Sequence, residues 1–248
     1  TITGDGDEAQ TAFASSGISG LTFDASNYLA SYSDLQDAFG TDLTLARTHY
    51  FAFGVDEGRS FDAFDETSYL ASYTDLLGAY GSNTDNALLH YINHGYSEGR
   101  SKDLFDENSY LASNTSLIGL SASEAVAHYV NTGYAAGLAL DSFRELSYIA
   151  SNASLIADYL ADDGKTTAEK LADATAHYVN TGYAAGDSAD SFDEFGYIAS
   201  YSDLIEAFGN DAAAGAQHYI SFGSTEGRTV SFDAASYLAA HVDLRAAY

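Results

Sequence analysis

Histidine is the residue type whose spacing most resembles a chemical site, because the string His-Tyr-x-x-x-Gly occurs five times. A neutral imidazole can act as a metal ligand or a general base. A zinc site, however, needs several ligands at short spacing, and these histidines lie 38 to 49 residues apart. We therefore interpret them as half-buried residues that fix helix packing through a hydrogen bond: His49, His90, His128, His177 and His218.

Arginine and aspartate form a second pattern. The tail Glu-Gly-Arg occurs in three copies of the surrounding sequence, and the same three copies have an Asp-Leu pair 25 residues earlier. The two remaining copies lack both the Arg and the Asp. Because the guanidinium fork matches a carboxylate, we predict three ion pairs within repeats: Arg59–Asp34, Arg100–Asp75 and Arg228–Asp203.

Catalytic motifs are absent from the sequence, which has no Gly-x-Ser-x-Gly, His-Glu-x-x-His, phosphate loop or dinucleotide fingerprint. We therefore predict that the chain is not an enzyme and needs no cofactor. An enzyme would need a pocket that differs between copies, and only the loop of the fourth copy, Asp162 to Lys170, offers a place for one. The motifs of calcium-binding loops are also missing, which leaves weak calcium binding at scattered loop carboxylates: Asp42, Asp85, Asp162, Asp163 and Asp211.

These residues recur because the chain is a tandem repeat. The string Phe-Asp-x-x-x-Tyr-Leu/Ile-Ala-Ser begins at Phe23 and returns, with a few substitutions, after 41, 41, 38, 49 and 40 residues. Nearly all of the length variation lies ahead of the His, as expected for a surface loop. The predicted segments are 1–22 as a linker and degenerate half-repeat, 23–63, 64–104, 105–142, 143–191 and 192–231 as five repeats, and 232–248 as a sixth half-repeat.

Each repeat is predicted to contain two helices, the first of them broken by a kink. The first helix starts at an Asp cap, and the Phe before the cap packs on the Tyr that follows. The predicted caps are Asp24, Asp65, Asp106, Asp193 and Asp233. Arg144 takes this position in the fourth copy, so that helix should start less firmly.

Two further helix boundaries follow from the pattern. A Ser or Thr at position 33, 74, 115 or 202 is expected to cap a short helix after the kink. The helix of the second string, such as Asn86 to His94, is expected to end at Gly95 in a left-handed conformation, with Tyr96 as the hydrophobic partner of that cap.

The predicted fold is an all-α tandem array of about 40-residue repeats with two to three helices each, because a lone helix pair cannot bury both of its faces. The N-terminal string Ala9 to Phe13 resembles Ala216 to Ile220, the start of a second half-unit. We therefore expect the first half at Phe232 to Tyr248 to dock onto the N-terminal half-unit of another chain.

Composition limits the partners. Nine Lys and Arg against 36 Asp and Glu give a net charge of −27, which excludes nucleic acid and disfavours anionic membranes. No apolar run approaches the length of a membrane span. The absence of Cys excludes disulfides and thiolate sites. The 20 Tyr and 14 Phe argue against disorder.

The unit Phe-Asp-x-x-x-Tyr-Leu-Ala-Ser-Tyr-Ser-Asp-Leu … His-Tyr-x-x-x-Gly-x-x-Glu-Gly-Arg resembles a repeat of large secreted or surface proteins of alphaproteobacteria and cyanobacteria. Those proteins often carry hemolysin-type calcium-binding repeats and look like type I secretion substrates. The family usually has Pro before Asp-Leu, where this chain has Ser33, Thr74 or Ser202. The resemblance implies an extracellular or cell-surface location in a bacterium and no particular activity.

The expected function is therefore a structural or interaction module of a bacterial secreted or cell-surface protein, such as an adhesin segment or a surface-layer or filament subunit. Its expected partners are other copies of itself, neighbouring surface proteins or polysaccharide. The alternative is a carbohydrate- or protein-binding domain that uses grooves between repeats. An exposed aromatic cluster at equivalent positions of several repeats would favour this alternative.

Overall fold

The computed structural model describes residues 23–245, and this part of the chain is helical with no β-strand. The predicted all-α repeat array is therefore confirmed. The degenerate half-repeat expected within residues 1–22 lies outside the described residues.

Each complete repeat contains a first, a second and a third helix, followed by a π-helical turn. The first helices are Ala25–Ser31, Glu66–Ala71, Glu107–Ser113, Glu145–Ser151, Glu194–Ala199 and Ala234–Ala240. The second helices are Ser33–Phe39, Thr74–Tyr80, the 3-10 turn Thr115–Leu117, Ala153–Leu160, Ser202–Phe208 and Val242–Arg245. The third helices are Leu43–His49, Thr84–His90, Ala122–His128, Thr167–His177 and Ala212–His218. The π-helices are Tyr50–Gly54, Tyr91–Gly95, Tyr129–Gly133, Tyr178–Gly182 and Tyr219–Gly223.

The first helices start as the sequence predicts. The side chain of Asp65 accepts hydrogen bonds from two backbone N–H groups of the first turn, and the ring of Phe64 packs on Tyr69 at 5.5 Å between centroids. The same side-chain cap is present at Asp24, Asp193 and Asp233. Asp106 immediately precedes the helix Glu107–Ser113. Arg144 makes no cap bond.

The break after the first helix differs from the prediction. One or two residues separate the two helices, and in the first repeat the break is the extended residue Tyr32, with φ −126° and ψ 118°. Its side chain makes no cap bond, and the second helix begins at Ser33 itself. The expected hydroxyl caps at 33, 74, 115 and 202 are therefore wrong, because each of these residues is already inside its helix or turn and not before it.

The end of the third helix also differs. It runs into a π-helical turn, closed by a bond from the N–H of Tyr96 to the carbonyl of Tyr91 at 2.9 Å. Gly95 belongs to this turn and does not have a positive φ, so its expected left-handed conformation is wrong. A Cβ at Gly95 would overlap the hydroxyl of Tyr69. Glycine is needed there for close approach of two helices.

The left-handed residue lies four positions later, at the glycine of the tail. Gly99 has φ +70°, and the N–H of Arg100 bonds the carbonyl of Gly95 at 2.9 Å. This six-to-one bond defines a Schellman motif. The left-handed glycines of the five tails are Gly58, Gly99, Gly137, Gly186 and Gly227.

The chain divides into two compact units. One contains the described residues up to Asp106 together with Ala122–Leu138, and the other contains Glu107–Ser121 together with the described residues from Ala139 onward. Within each unit, a first helix packs on the third helix of the following repeat: Ala25–Ser31 on Thr84–His90, and Glu145–Ser151 on Ala212–His218. None of the described helices is long and apolar enough to cross a membrane.

Candidate functional site

The repeated histidines bond the repeated tyrosines of the first helices. Tyr69 is fully buried, and its hydroxyl lies 3.0 Å from Nδ1 of His90. The hydroxyl also touches Gly95, so the three residues form one Tyr–His–Gly unit. The corresponding hydroxyl-to-Nδ1 distances are 3.0 Å for Tyr28–His49, 2.8 Å for Tyr148–His177 and 2.9 Å for Tyr197–His218. Tyr110 is equally buried in the third repeat, where His128 is half-buried.

Burial sets the electrostatics of this unit. It raises the pKa of Tyr28 and Tyr197 to about 12, and it raises the pKa of Tyr69 and Tyr148 as well. The pKa of His90 is lowered, first by burial. Both partners therefore favour their neutral forms. A neutral pair with one hydrogen bond fixes the packing of two helices, which is the structural role that the spacing of the histidines indicates.

The outer edge of the same imidazoles belongs to a ring cluster on the surface. The His49 ring lies 5.7 Å from Phe39 and 5.6 Å from Phe53, measured between centroids, and Phe53 is 53% exposed. The equivalent clusters are Tyr80, His90 and His94 in the second repeat and Phe208, His218 and Phe222 in the fifth. Nε2 of these three histidines has no hydrogen-bond partner among residues 23–245.

The three predicted ion pairs are present in the structure. Arg59 donates to both carboxylate oxygens of Asp34, at 3.0 and 2.8 Å. The other two pairs have shortest distances of 2.9 Å for Arg100–Asp75 and 2.8 Å for Arg228–Asp203. The hydrogen bond from the arginine lowers the pKa of each aspartate.

Each arginine has two further partners that the spacing does not predict. Nε of Arg100 donates to Glu98 at 2.6 Å, and its guanidinium lies 4.7 Å from the ring centroid of Tyr73. Tyr73 is the extended residue at the break between the helices. The side chain of Arg100 therefore ties the Schellman tail to this break through two carboxylates and one ring.

The third and fourth repeats join the Schellman tail to the break between the helices without an ion pair. Nδ2 of Asn152, at the break, donates to the carbonyl of Ser188 at 2.9 Å, just past the tail. In the fifth repeat, the hydroxyl of Tyr201 donates to the equivalent carbonyl of Thr229 at 3.0 Å. The sequence indicates this replacement of the ion pair, because Asn replaces Tyr in the same copies that lose the Arg and the Asp.

The serine of the Leu/Ile-Ala-Ser string has a role that sequence reasoning missed. Oγ of Ser151 accepts from the N–H groups of Ser191 and Phe192, both at 2.9 Å, at the start of the following repeat. The equivalent serines are Ser31, Ser72, Ser113 and Ser200, each bonded to the chain that leads into the following repeat. The serine therefore links consecutive repeats.

Arg144 acts across a junction between repeats. It pairs with Asp190 at 3.2 Å and with Glu194 at 2.9 Å, and both belong to the run into the fifth repeat. The carboxylate of Glu194 is buried and also accepts from the hydroxyl of Ser147. The residue that replaces the aspartate cap therefore compensates a buried charge.

Some of the loop carboxylates considered for calcium accept hydrogen bonds from the backbone, and the others do not cluster with further ligands. Asp42 and Asp211 cap third helices, and Asp163 accepts from the N–H of Lys165. Asp85 lies in the first turn of a third helix, and Asp162 is exposed. Among residues 23–245 no group of three potential metal ligands comes together. No family model, curated protein or solved structure matches the chain, so its function has to be inferred from its own residues.

Proposed function

We propose that the chain is a non-enzymatic interaction module of a bacterial secreted or cell-surface protein, and that it associates with other copies of itself. One observation carries this proposal. Tyr237 of the helix Ala234–Ala240 is 47% exposed, whereas its five equivalents are fully buried. In the second repeat that face is covered by His90, Tyr91 and Gly95. Other described first helices also pack on the third helix of a following repeat, so this face fits a third helix that another copy of the repeat can supply.

The proposed occupant is the string Ala9 to Phe13 of a second copy, because it resembles the start of a third-helix string. A Tyr-Leu face gains free energy when a third helix buries it. The net charge of −27 and the resemblance to secreted repeat proteins support a location outside the cell.

Sedimentation velocity over a range of concentrations tests this proposal. We expect reversible association of the unaltered chain and a monomer for Tyr237→Arg and for the chain lacking residues 1–22. The matched control is Phe195→Arg, which changes an equally exposed ring on a first helix that already has its partner. A monomer at every concentration, or association that Tyr237→Arg does not alter, would contradict the proposal.

The alternative of a carbohydrate-binding module is favoured by a different observation, the exposed ring clusters of the first, second and fifth repeats. Aromatic faces combined with polar edges suit ligands that are apolar on one side and polar on the other. These clusters lie within repeats, between the second and third helices, and not in the grooves between repeats that the alternative assumes.

A further inference from the structure

The fourth repeat contains a cavity of about 380 Å³ where the first, second and fifth repeats carry an exposed ring cluster. Its walls include Tyr159 and His177, which occupy the positions of Phe39 and His49 in the first repeat. Ile149, Leu155 and Ala174 supply an apolar floor. The volume is within the range of small-molecule sites, and the mixture of apolar surface and a few polar groups is typical of them.

The cavity exists because of the insertion in this repeat. The distance from Phe to His is 34 residues here and 26 in the first, second and fifth repeats. The third helix is extended to 11 residues from 7, and Ala161, Asp163 and Lys165 of the added loop line the cavity. The loop is held in place by Lys170, whose ammonium group donates to the carbonyl of Tyr159 at 2.8 Å and to that of Ala161.

The charges of the cavity are unusual for this chain. The chain has a net charge of −27 and only three lysines, and two of them line the cavity wall. Lys165 pairs with Asp173 at 2.7 Å, and Lys170 lies 3.6 Å from Asp163. Asp158 lines the wall without an ion pair in the described chain. Both donors and acceptors therefore line the cavity beside an apolar floor, and Nε2 of His177 adds one more polar atom.

The charges and the apolar floor of the cavity favour some classes of ligand over others. Both ammonium groups are already compensated by carboxylates, which leaves no excess positive charge for an anion. A metal ion would need converging ligands, and no group of three occurs in residues 23–245. A sugar has hydroxyl groups that both donate and accept, and one apolar ring face. We propose that this cavity binds a neutral saccharide, with Asp158 and the Lys165–Asp173 pair as its polar contacts.

Backbone amide NMR with single saccharides tests this proposal. The probes are glucose, galactose, mannose, N-acetylglucosamine, maltose, cellobiose and lactose, with putrescine and inorganic phosphate as charged probes. We expect at least one saccharide to shift the resonances of the cavity residues with a Kd at or below about 1 mM. Asp158→Asn and Lys165→Ala should each weaken that binding by about tenfold. Asp56→Asn, an exposed carboxylate outside the cavity, should not change it.

A loop-exchange variant distinguishes loss of the cavity from misfolding of the chain. Replacing residues 160–173 by residues 40–45 restores the spacing of the first repeat and keeps Tyr159 and His177. This variant should keep its helix content and lose the saccharide. The proposal is overturned if no saccharide shifts the cavity residues, if only putrescine or phosphate does so, or if the loop exchange leaves binding unchanged. Because this test does not involve Tyr237, it can fail independently of self-association.

Discussion

At the scale of single residues, the charged groups placed by the fold are few. Arg100 holds two carboxylates and lies over an aromatic ring, while most of the other acids face solvent. Exposed ion pairs contribute little, but a bidentate fork whose guanidinium is largely covered contributes more than an isolated surface pair. In the copies with Asn in place of Tyr, a hydrogen bond from the Asn side chain joins the break between the helices to the chain just past the tail, without an ion pair.

Asp75→Asn tests the contribution of this ion pair. We expect the free energy of unfolding to fall by about 0.5 kcal/mol at neutral pH. Arg100 holds the pKa of Asp75 below its ordinary value of 3.8, so the contribution is present above that value and is lost as the pH falls through the lowered pKa. Urea unfolding from neutral to acid pH should show the difference between the two proteins vanish at the acid end. A difference that persists at the acid end would show that charge is not its cause, and Asp56→Asn is the matched control.

The roles of these residues could be predicted in part. The Arg–Asp pairs follow from the loss of both residues in the same copies, and the Asp caps follow from their position before an apolar stripe. The junction serines could not be assigned in this way, because Ser151 bonds a backbone 40 residues away and such a bond leaves no pattern in composition.

At the scale of helices, the π-turn is what brings the third helix against the first. It carries the backbone of Gly95 to the hydroxyl of Tyr69, which leaves no room for a side chain. Over one turn, the apolar pattern of a π-helix is the same as that of an α-helix. The glycine of His-Tyr-x-x-x-Gly therefore resembles a left-handed cap in the sequence, and the structure assigns that role to the glycine of the tail.

Gly95→Ala tests the close approach at this turn. We expect a loss of about 2 kcal/mol in the free energy of unfolding, because the added methyl group forces the two helices apart. Gly78→Ala is the matched control. Gly78 lies in the exposed interior of the helix Thr74–Tyr80, where a Cβ meets only the Tyr134 hydroxyl at 3.5 Å. There alanine should add about 0.5 kcal/mol by its helix propensity. Equal effects of the two substitutions in urea unfolding would refute this explanation.

At the scale of the whole molecule, one architecture is repeated and one copy is modified. The repeat length and the helical class could be predicted because the same strings recur at nearly fixed spacing. The place of the cavity follows from the insertion in the fourth copy, but its shape could not be predicted, because it depends on how the eight additional residues divide between the loop and the third helix. The insertion changes a surface and leaves the Tyr148–His177 bond intact.

The central claim is that the first, second, fourth and fifth repeats are each built around one buried tyrosine bonded to one histidine. The most direct test is an alkaline titration that follows tyrosinate absorbance and helix content together. Because burial raises the pKa of Tyr28 and Tyr197 from 10.0 to about 12, their contribution to stability is present below pH 10.0 and is lost as the pH rises to about 12. We predict a late class of tyrosines that ionises together with the loss of helix. Ionisation of all the tyrosines in one step near pH 10.0, with the helix content intact, would contradict the claim.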